Sequence, residues 1–353
     1  MTWRLPFNRK YLSLAVTIGL FALMYIVAIM RFPGFTRPQV FLNLMVDNAF
    51  LIVTAVGMTF VILSGGIDLS VGAVIALTTI VLASLVEKAN FNPFLAIAVV
   101  LLMGTVLGLG MGAIIHYFKL PPFVVTLAGM FFARGMCFII SINSITITNP
   151  TYVGLSKLRI YLGPLGFVSF NVVIALTVVA VGMYMAHLTN FGRTVYAIGG
   201  NEQSAELMGL NVPRTKVLIY TLNGFLAAMA GVVYSLYVLS GHGLYANGLE
   251  LDAIASVVIG GTLLTGGVGY VFGTFFGVMI QGLIQTVIMF DGTLNTWWTK
   301  IVVGLLTLFF ILMQRWLSSR SSTRKDVRPL TPPTAATTAT AASAPLDTKS
   351  AAA

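Results

Sequence analysis

The chain has 353 residues, 58% of them hydrophobic and 8% charged, with a formal net charge of +10. Soluble domains carry about 25% charged residues, so this composition excludes a soluble globular protein and indicates one that crosses a membrane repeatedly. The basic excess does not indicate nucleic acid, because Lys and Arg fall between apolar runs and at the two ends rather than in a patch interleaved with aromatics.

In chain order, residues 1–10 hold Arg4, Arg9 and Lys10 and are expected to form a cytoplasmic N-terminus. The apolar run 11–30 follows. It is long enough to span a bilayer and no small-residue cleavage site comes after it, so it reads as a retained helix rather than a signal peptide. Nine further apolar segments fall at 48–64, 69–86, 94–115, 123–141, 165–188, 217–239, 253–264, 268–290 and 300–314. The expected fold class is an all-α polytopic membrane protein with about ten transmembrane segments. It comprises a transmembrane domain over 11–315 and, over 316–353, a Thr/Ala/Pro-rich cytoplasmic tail that cannot bury a core and is expected to be disordered.

Two glycine-rich stretches break the pattern. The first, SGGIDLSVGAV at 64–74, carries Gly65, Gly66 and Asp68 between two apolar segments. The second is IGGTLLTGGVG at 259–269, with Gly260, Gly261, Gly266 and Gly267. Residues 253–290 contain no Asp, Glu, Lys or Arg. As one helix they would be about 57 Å long, against a bilayer core of about 30 Å, so the chain must turn back at the second stretch. Paired interruptions of this kind point to broken or re-entrant helices, to an internal repeat and to a transport pathway. Asp68 sits just before an apolar run. Its carboxylate is placed to cap the free N–H groups of Ser70 or Val71 and to meet the positive end of a helix dipole. A solute ligand or a proton carrier is the alternative reading. Glycines at 104, 108 and 112, and again at 269, 273 and 277, put one face of each helix in position for close packing.

Polar residues inside apolar segments are candidates to line a pathway: Asn48, Thr59, Asn223, Gln281 and Gln285. Helix–helix hydrogen bonding is their other use. Arg134 lies well inside segment 123–141, where a basic residue costs about 2.5–3.5 kcal/mol. It is expected to face the bundle and bind carbonyls at a broken helix. Cys137, the single cysteine, excludes a disulfide framework and a cysteine-based metal site, and reads as a small buried hydrophobe. No nucleotide-binding GxxxxGK[ST], HExxH or GxSxG motif occurs. No metal or cofactor is therefore expected on this chain.

Residues 190–216 form the longest connection on the basic side. Asn201 is a good N-cap, Glu202 and Glu206 favour the positive end of a dipole, and Gly209 can close a helix that Pro213 prevents from restarting. The spacing predicts a helix over 202–208, too short to stand alone in water, which must dock on its own membrane domain or on a soluble partner. Twelve Lys and Arg residues, from Arg4 to Arg328, fall on the side of this loop and both termini, against six on the other side (Arg31, Arg37, Lys88, Lys157, Arg159 and Lys300). Both termini are therefore expected in the cytoplasm.

Several strings together resemble one family. SGGIDLSVG at 64–72, LAGMFFARG at 127–135, AIGGN at 197–201 and LDAIASVVIGGTLLTGGVG at 251–269 are similar to the permease subunits of carbohydrate ABC importers, the group that includes ribose and xylose permeases. The resemblance spans roughly residues 10–315. DNAFLIVTAVGMTFVILSGGIDLSVG at 47–72, VYAIGGN at 195–201 and FDGTLNTWWTKI at 290–301 look most like a permease of the galactofuranose-importing kind. The resemblance implies a subunit of the bacterial plasma membrane that is not itself an enzyme. It would form the sugar pathway with a second permease, a cytoplasmic ATPase that uses ATP, and a periplasmic or extracellular sugar-binding protein. By the same analogy Gly200, Asn201, Glu202, Ala205 and Gly209 belong to the region that couples to the ATPase. An ion-coupled secondary transporter of a small polar solute is the rival reading, with Asp68 as its ion-carrying acid.

Overall fold

The computed structural model describes residues 12–293, 295 and 297–322. The expected cytoplasmic N-terminus at 1–10 and the bulk of the expected tail at 316–353 lie outside the described residues. The elements run in chain order as α1 (Leu12–Arg31), α2 (Pro38–Asp47), α3 (Ala49–Leu63), α4 (Val71–Ala83), α5 (Pro93–Tyr117) and α6 (Pro122–Ile140). There follow β1 (Ile145–Thr146), α7 (Pro150–Ser156), β2 (Arg159–Tyr161), β3 (Phe167–Ser169), α8 (Phe170–Leu188), α9 (Asn190–Gly200) and α10 (Glu202–Leu207). The chain then continues through α11 (Val212–Val238), β4 (Ser240–Gly241), α12 (Leu249–Ile259), α13 (Val271–Asp291) and α14 (Trp297–Ser322).

Each of the ten expected segments holds a helix, but not all are straight full-length spans. Among the described residues eight helices are long and apolar enough to cross a membrane singly, and α2 with α3 makes a ninth span bent by 57°. The bend falls at Asn48, whose φ of −111° leaves helical geometry. The remaining segment, 253–264, holds α12, only 11 residues long. It is followed by the glycine turn that the charge-free run required, and α13 leads back.

Proline opens several helices where its missing N–H is harmless: Pro38, Pro93, Pro122 and Pro150 each stand at the first helical position. Alternating passage of the spans puts connections 64–70, 118–121, 189–211 and 260–270 at one end of the bundle. The other end carries the short strands. There β1 pairs antiparallel with β4 and β2 with β3. The Gln39 amide clasps both backbone groups of Phe167, donating at 3.2 Å and accepting at 2.9 Å.

Two large apolar cores are present, beside a small third cluster of Ile198, Ala205 and Val212. The first gathers residues of α3, α4, α5, α6, α8 and α11, and the second those of α1, α2, α13 and α14. Helix α12 belongs to both, with Ala253 and Val257 in the first and Ala255, Val258 and Ile259 in the second. The ladder at 104, 108 and 112 faces α11, and Gly273 and Gly277 face the backbone of α12 and its end. Gly269 falls before α13 and meets the Thr262 side chain instead. A Cβ at Gly108 would strike the Tyr220 carbonyl of α11, and one at Gly273 would strike the Gly260 carbonyl at the end of α12. Glycine thus sets how closely α5 meets α11 and α13 meets α12.

Candidate functional site

A polar cavity of about 350 Å³ opens among α3, α11, α12, α13 and α14, toward the end that carries the short strands. Three of the five pathway candidates line it: Asn48 at the α2–α3 bend, and Gln281 and Gln285 one turn apart on α13. The Asn48 amide donates to the Leu44 carbonyl at 2.9 Å, lying against the bare backbone of Gly282. Gln281 donates to the Asp252 carbonyl at 3.0 Å. The Gln285 amide has no hydrogen-bond partner among the described residues and is free to serve a ligand.

Sequence reasoning missed the charged groups of the same cavity. Asp47 accepts from the Tyr237 hydroxyl at 3.1 Å, and Asp252 holds Lys300 through both carboxylate oxygens at 2.7 and 2.6 Å. All three charged residues stand at helix ends, where they served as boundaries between apolar segments, and nothing in their spacing brings them together. Phe50 and Tyr234 add aromatic surface, edge to face at 4.8 Å. Amides, carboxylates and hydroxyls beside aromatic rings, in a cavity of this size, suit a small neutral solute with many hydroxyl groups.

The other two pathway candidates lie elsewhere. Thr59 is fully buried, with its hydroxyl on the Ala55 carbonyl at 2.7 Å and on the Thr274 hydroxyl at 2.8 Å, joining α3 to α13. Asn223 is buried and donates to Asp68 at 2.7 Å. Asp68 itself is 1% exposed. Its other oxygen accepts from the Ser70 N–H at 2.8 Å and the Ser70 hydroxyl at 2.6 Å, at the entrance to α4. The carboxylate thus organises the break between α3 and α4 and pins it to α11.

The second break is held by backbone. Gly260 ends α12, Gly261, Gly266 and Gly267 take left-handed φ values of +94°, +84° and +76°, and the Gly267 N–H donates to the Leu63 carbonyl at 2.9 Å. The two breaks therefore touch. Arg134 anchors the approach to α12 from outside it: its guanidinium donates to the carbonyls of Gly243 at 2.6 Å and Tyr245 at 2.8 Å.

Against both breaks lies α9. A Cβ at Gly199 would collide with the Leu63 carbonyl oxygen and the Gly267 nitrogen, so α9 approaches to backbone contact. Gly200 follows at its C-terminus, and its backbone nitrogen is close enough to Gly267 to forbid a side chain there. Sequence reasoning took Gly200 and passed over Gly199, because either glycine looks alike until its neighbour is known. Tyr196 on α9 donates to the Gly269 carbonyl at 2.7 Å, and burial pushes its pKa up to about 12, so it stays a neutral donor. Helix α10 starts at Asn201, whose side chain accepts from the Ser204 N–H at 2.7 Å. Glu202 pairs with Lys216 at 2.7 Å, Ala205 is buried with Ile198 and Val212, and Gly209 closes the helix at φ +77°. The opposite face is bare: Leu207 is 89% exposed and Met208 69%.

Comparison with known proteins yields a family model described as "Branched-chain amino acid transport system / permease component", matched over residues 40–311. The inner membrane ABC transporter permease protein YjfF of Escherichia coli (strain K12) is 52% identical over 310 residues, 88% of this chain and 94% of that protein. The fructose import permease protein FruG of Bifidobacterium longum (strain NCC 2705) is 41% identical, over 87% of this chain and 92% of its own length. The ribose import permease protein RbsC of Bacillus subtilis (strain 168) is 38% identical, over 88% and 95%. No solved structure matches the chain.

Proposed function

Since the chain belongs to this family of ABC transporter permease components, with sugar permeases among its relatives, we propose that it is one of two permeases of an ATP-driven sugar importer. It is a transport subunit rather than an enzyme. The observation that carries the proposal is the polar cavity between α3, α11, α12, α13 and α14 in an otherwise apolar bundle. Asn48, Gln281, Gln285 and Asp47 are the groups that would meet sugar hydroxyls on the way through. The family membership displaces the ion-coupled alternative, and Asp68 is occupied by Ser70 and Asn223.

ATP hydrolysis falls to a separate cytoplasmic ATPase that docks on α9 and α10. The exposed pair Leu207 and Met208 fits an apolar pocket on such a partner, and α10 is fixed to the membrane domain by Ala205 and the Glu202–Lys216 pair. The Gly199 contact with Leu63 and Gly267 passes movement of that docked helix to both breaks. A periplasmic or extracellular binding protein delivers the sugar at the opposite end. The membrane is the bacterial plasma membrane, with both termini cytoplasmic, supported by the twelve-to-six distribution of basic residues. The similarity of 47–72, 195–201 and 290–301 to permeases of the galactofuranose-importing kind supports galactofuranose as the sugar and a heterodimer of permeases as the assembly.

Proteoliposomes carrying the full complex test this reading. Uptake of labelled galactofuranose, fructose and ribose is measured with and without ATP. ATP-dependent uptake that Gln281→Ala and Gln285→Ala together reduce about tenfold is expected, the loss of one or two good hydrogen bonds. ATP-independent uptake, or no effect of the two substitutions, overturns the assignment of the cavity. Leu207→Asp is expected to release the ATPase during purification while leaving membrane insertion intact. For orientation, a cysteine at position 207 in a Cys137→Ser background should react with a membrane-impermeant thiol reagent only after cells are opened.

A further inference from the structure

A second cavity, of about 400 Å³, runs along the outside of the bundle between α1, α13 and α14. Its walls are apolar, from Met24 and Ala28 on α1 to Ile284 and Ile288 on α13, and the one charged residue lining it is Arg31, the last residue of α1. Trp298, in the first turn of α14, lines the same end. The apolar windows of α1 and α14 are each only 17% buried within the protein. Among the described residues nothing covers the groove, which opens on the apolar outer surface of the bundle. Arg31 is exposed and makes no ion pair or hydrogen bond among the described residues. It stands where a spanning helix leaves the hydrocarbon, the depth of lipid phosphates, and an indole beside it is at home in that layer.

We propose that this groove is a binding site for an anionic phospholipid, with an acyl chain laid along the exposed Val27 and Val302 and the phosphate seated on Arg31. A guanidinium offers a planar fork of donors that matches phosphate oxygens two at a time. The cation selects the headgroup, while the methyl side chain of Ala28, itself buried, leaves the depth that an acyl chain requires. The adjacent polar cavity shares α13 and α14 with this groove but none of its lining residues, so lipid and transported solute do not compete.

The test uses the full-length chain in its purified complex, in nanodiscs of phosphatidylcholine doped with phosphatidylglycerol that carries a photoreactive acyl chain. Crosslinks are expected to map to residues 23–32, 284–288 and 298–302. Unlabelled phosphatidylglycerol should compete about tenfold better than phosphatidylcholine, the selectivity of one charge-assisted contact. Arg31→Gln should abolish that preference while the crosslinks stay in the groove, and Ala28→Phe should remove them. Crosslinks confined to other surfaces overturn the site, and an unchanged preference in Arg31→Gln overturns the headgroup assignment. Near-complete crosslinking of a cysteine at position 27 to the second permease also overturns the proposal, since the groove would then be a subunit contact. Because the mapping is done on the wild-type protein, a variant that fails to fold does not remove the test.

Discussion

The two glycine-broken regions, 64–70 and 260–270, look alike in composition and are closed by different means. In the first, the Asp68 carboxylate collects donors from Ser70 at the entrance of α4 and from Asn223 on α11. In the second, the chain folds on itself: Thr262 donates to Val257 at 3.2 Å, Leu263 to Val268 at 2.9 Å and Gly266 to Leu263 at 3.0 Å, with glycine supplying the left-handed turns. No charged residue lies in it; Arg134 of α6 binds the Gly243 and Tyr245 carbonyls at the far end of α12 and holds the chain's approach to that helix. A break inside a bilayer must satisfy its own backbone groups. The difference shows that a buried acid and a run of glycines are two solutions to that one requirement, and an aspartate among apolar residues need not be chemistry.

Four substitutions sharpen or break this contrast. Asp68→Ala strips an acceptor from three buried donors at about 1–3 kcal/mol per unpaired group. The expected loss is about 4 kcal/mol, seen as a collapse of the thermal unfolding temperature of the purified protein. Arg134→Met frees two carbonyls from charge-assisted bonds and should lose about 3 kcal/mol. Folded yield and uptake fall together, and wild-type values for both would show that the turn leading into α12 holds without it. Gly267→Ala forces a left-handed residue to carry a Cβ placed 2.9 Å from the Gly200 nitrogen. A loss of about 2 kcal/mol is expected, and a neutral result would mean that α9 does not meet the second break as described. Smallest is Asp68→Asn, at under about 1 kcal/mol. The Asn223 carbonyl oxygen has no partner among the described residues, so turning that amide lets it accept from the new side chain. Should Asp68→Asn prove as damaging as Asp68→Ala, the charge itself would matter and the contrast would fail.

The helices were legible because hydrophobic runs, prolines and fences of charge are local signals. So was the turn at 260–270, forced by length alone, and the start of α10, written in Asn201. The cavity was legible only in part. Asn48, Gln281 and Gln285 stood out as amides in apolar surroundings, but Thr59 and Asn223 stood out on the same grounds and are used in helix–helix bonds. What separates them is partnership across the fold. Asn223 finds Asp68 155 positions away and Lys300 finds Asp252 48 positions away, and no periodicity encodes such distances. The bend at Asn48 was invisible for another reason, since α2 and α3 are both apolar and hydropathy does not record direction.

Helix α12 has a bearing on how the protein is made. Its 11 residues extend about 16 Å, half the hydrocarbon thickness, and both its faces are claimed by cores. A newly synthesised α12 therefore has no stable resting place in lipid, neither across the bilayer nor along it. It must enter as a hairpin with α13, after α3 and α11 have already formed the wall that receives it. The Gly267–Leu63 bond cannot form before that moment, so the two breaks come together only late in biogenesis. A chain truncated ahead of α13 should be a substrate for membrane quality-control proteases, however well its first eleven helices fold.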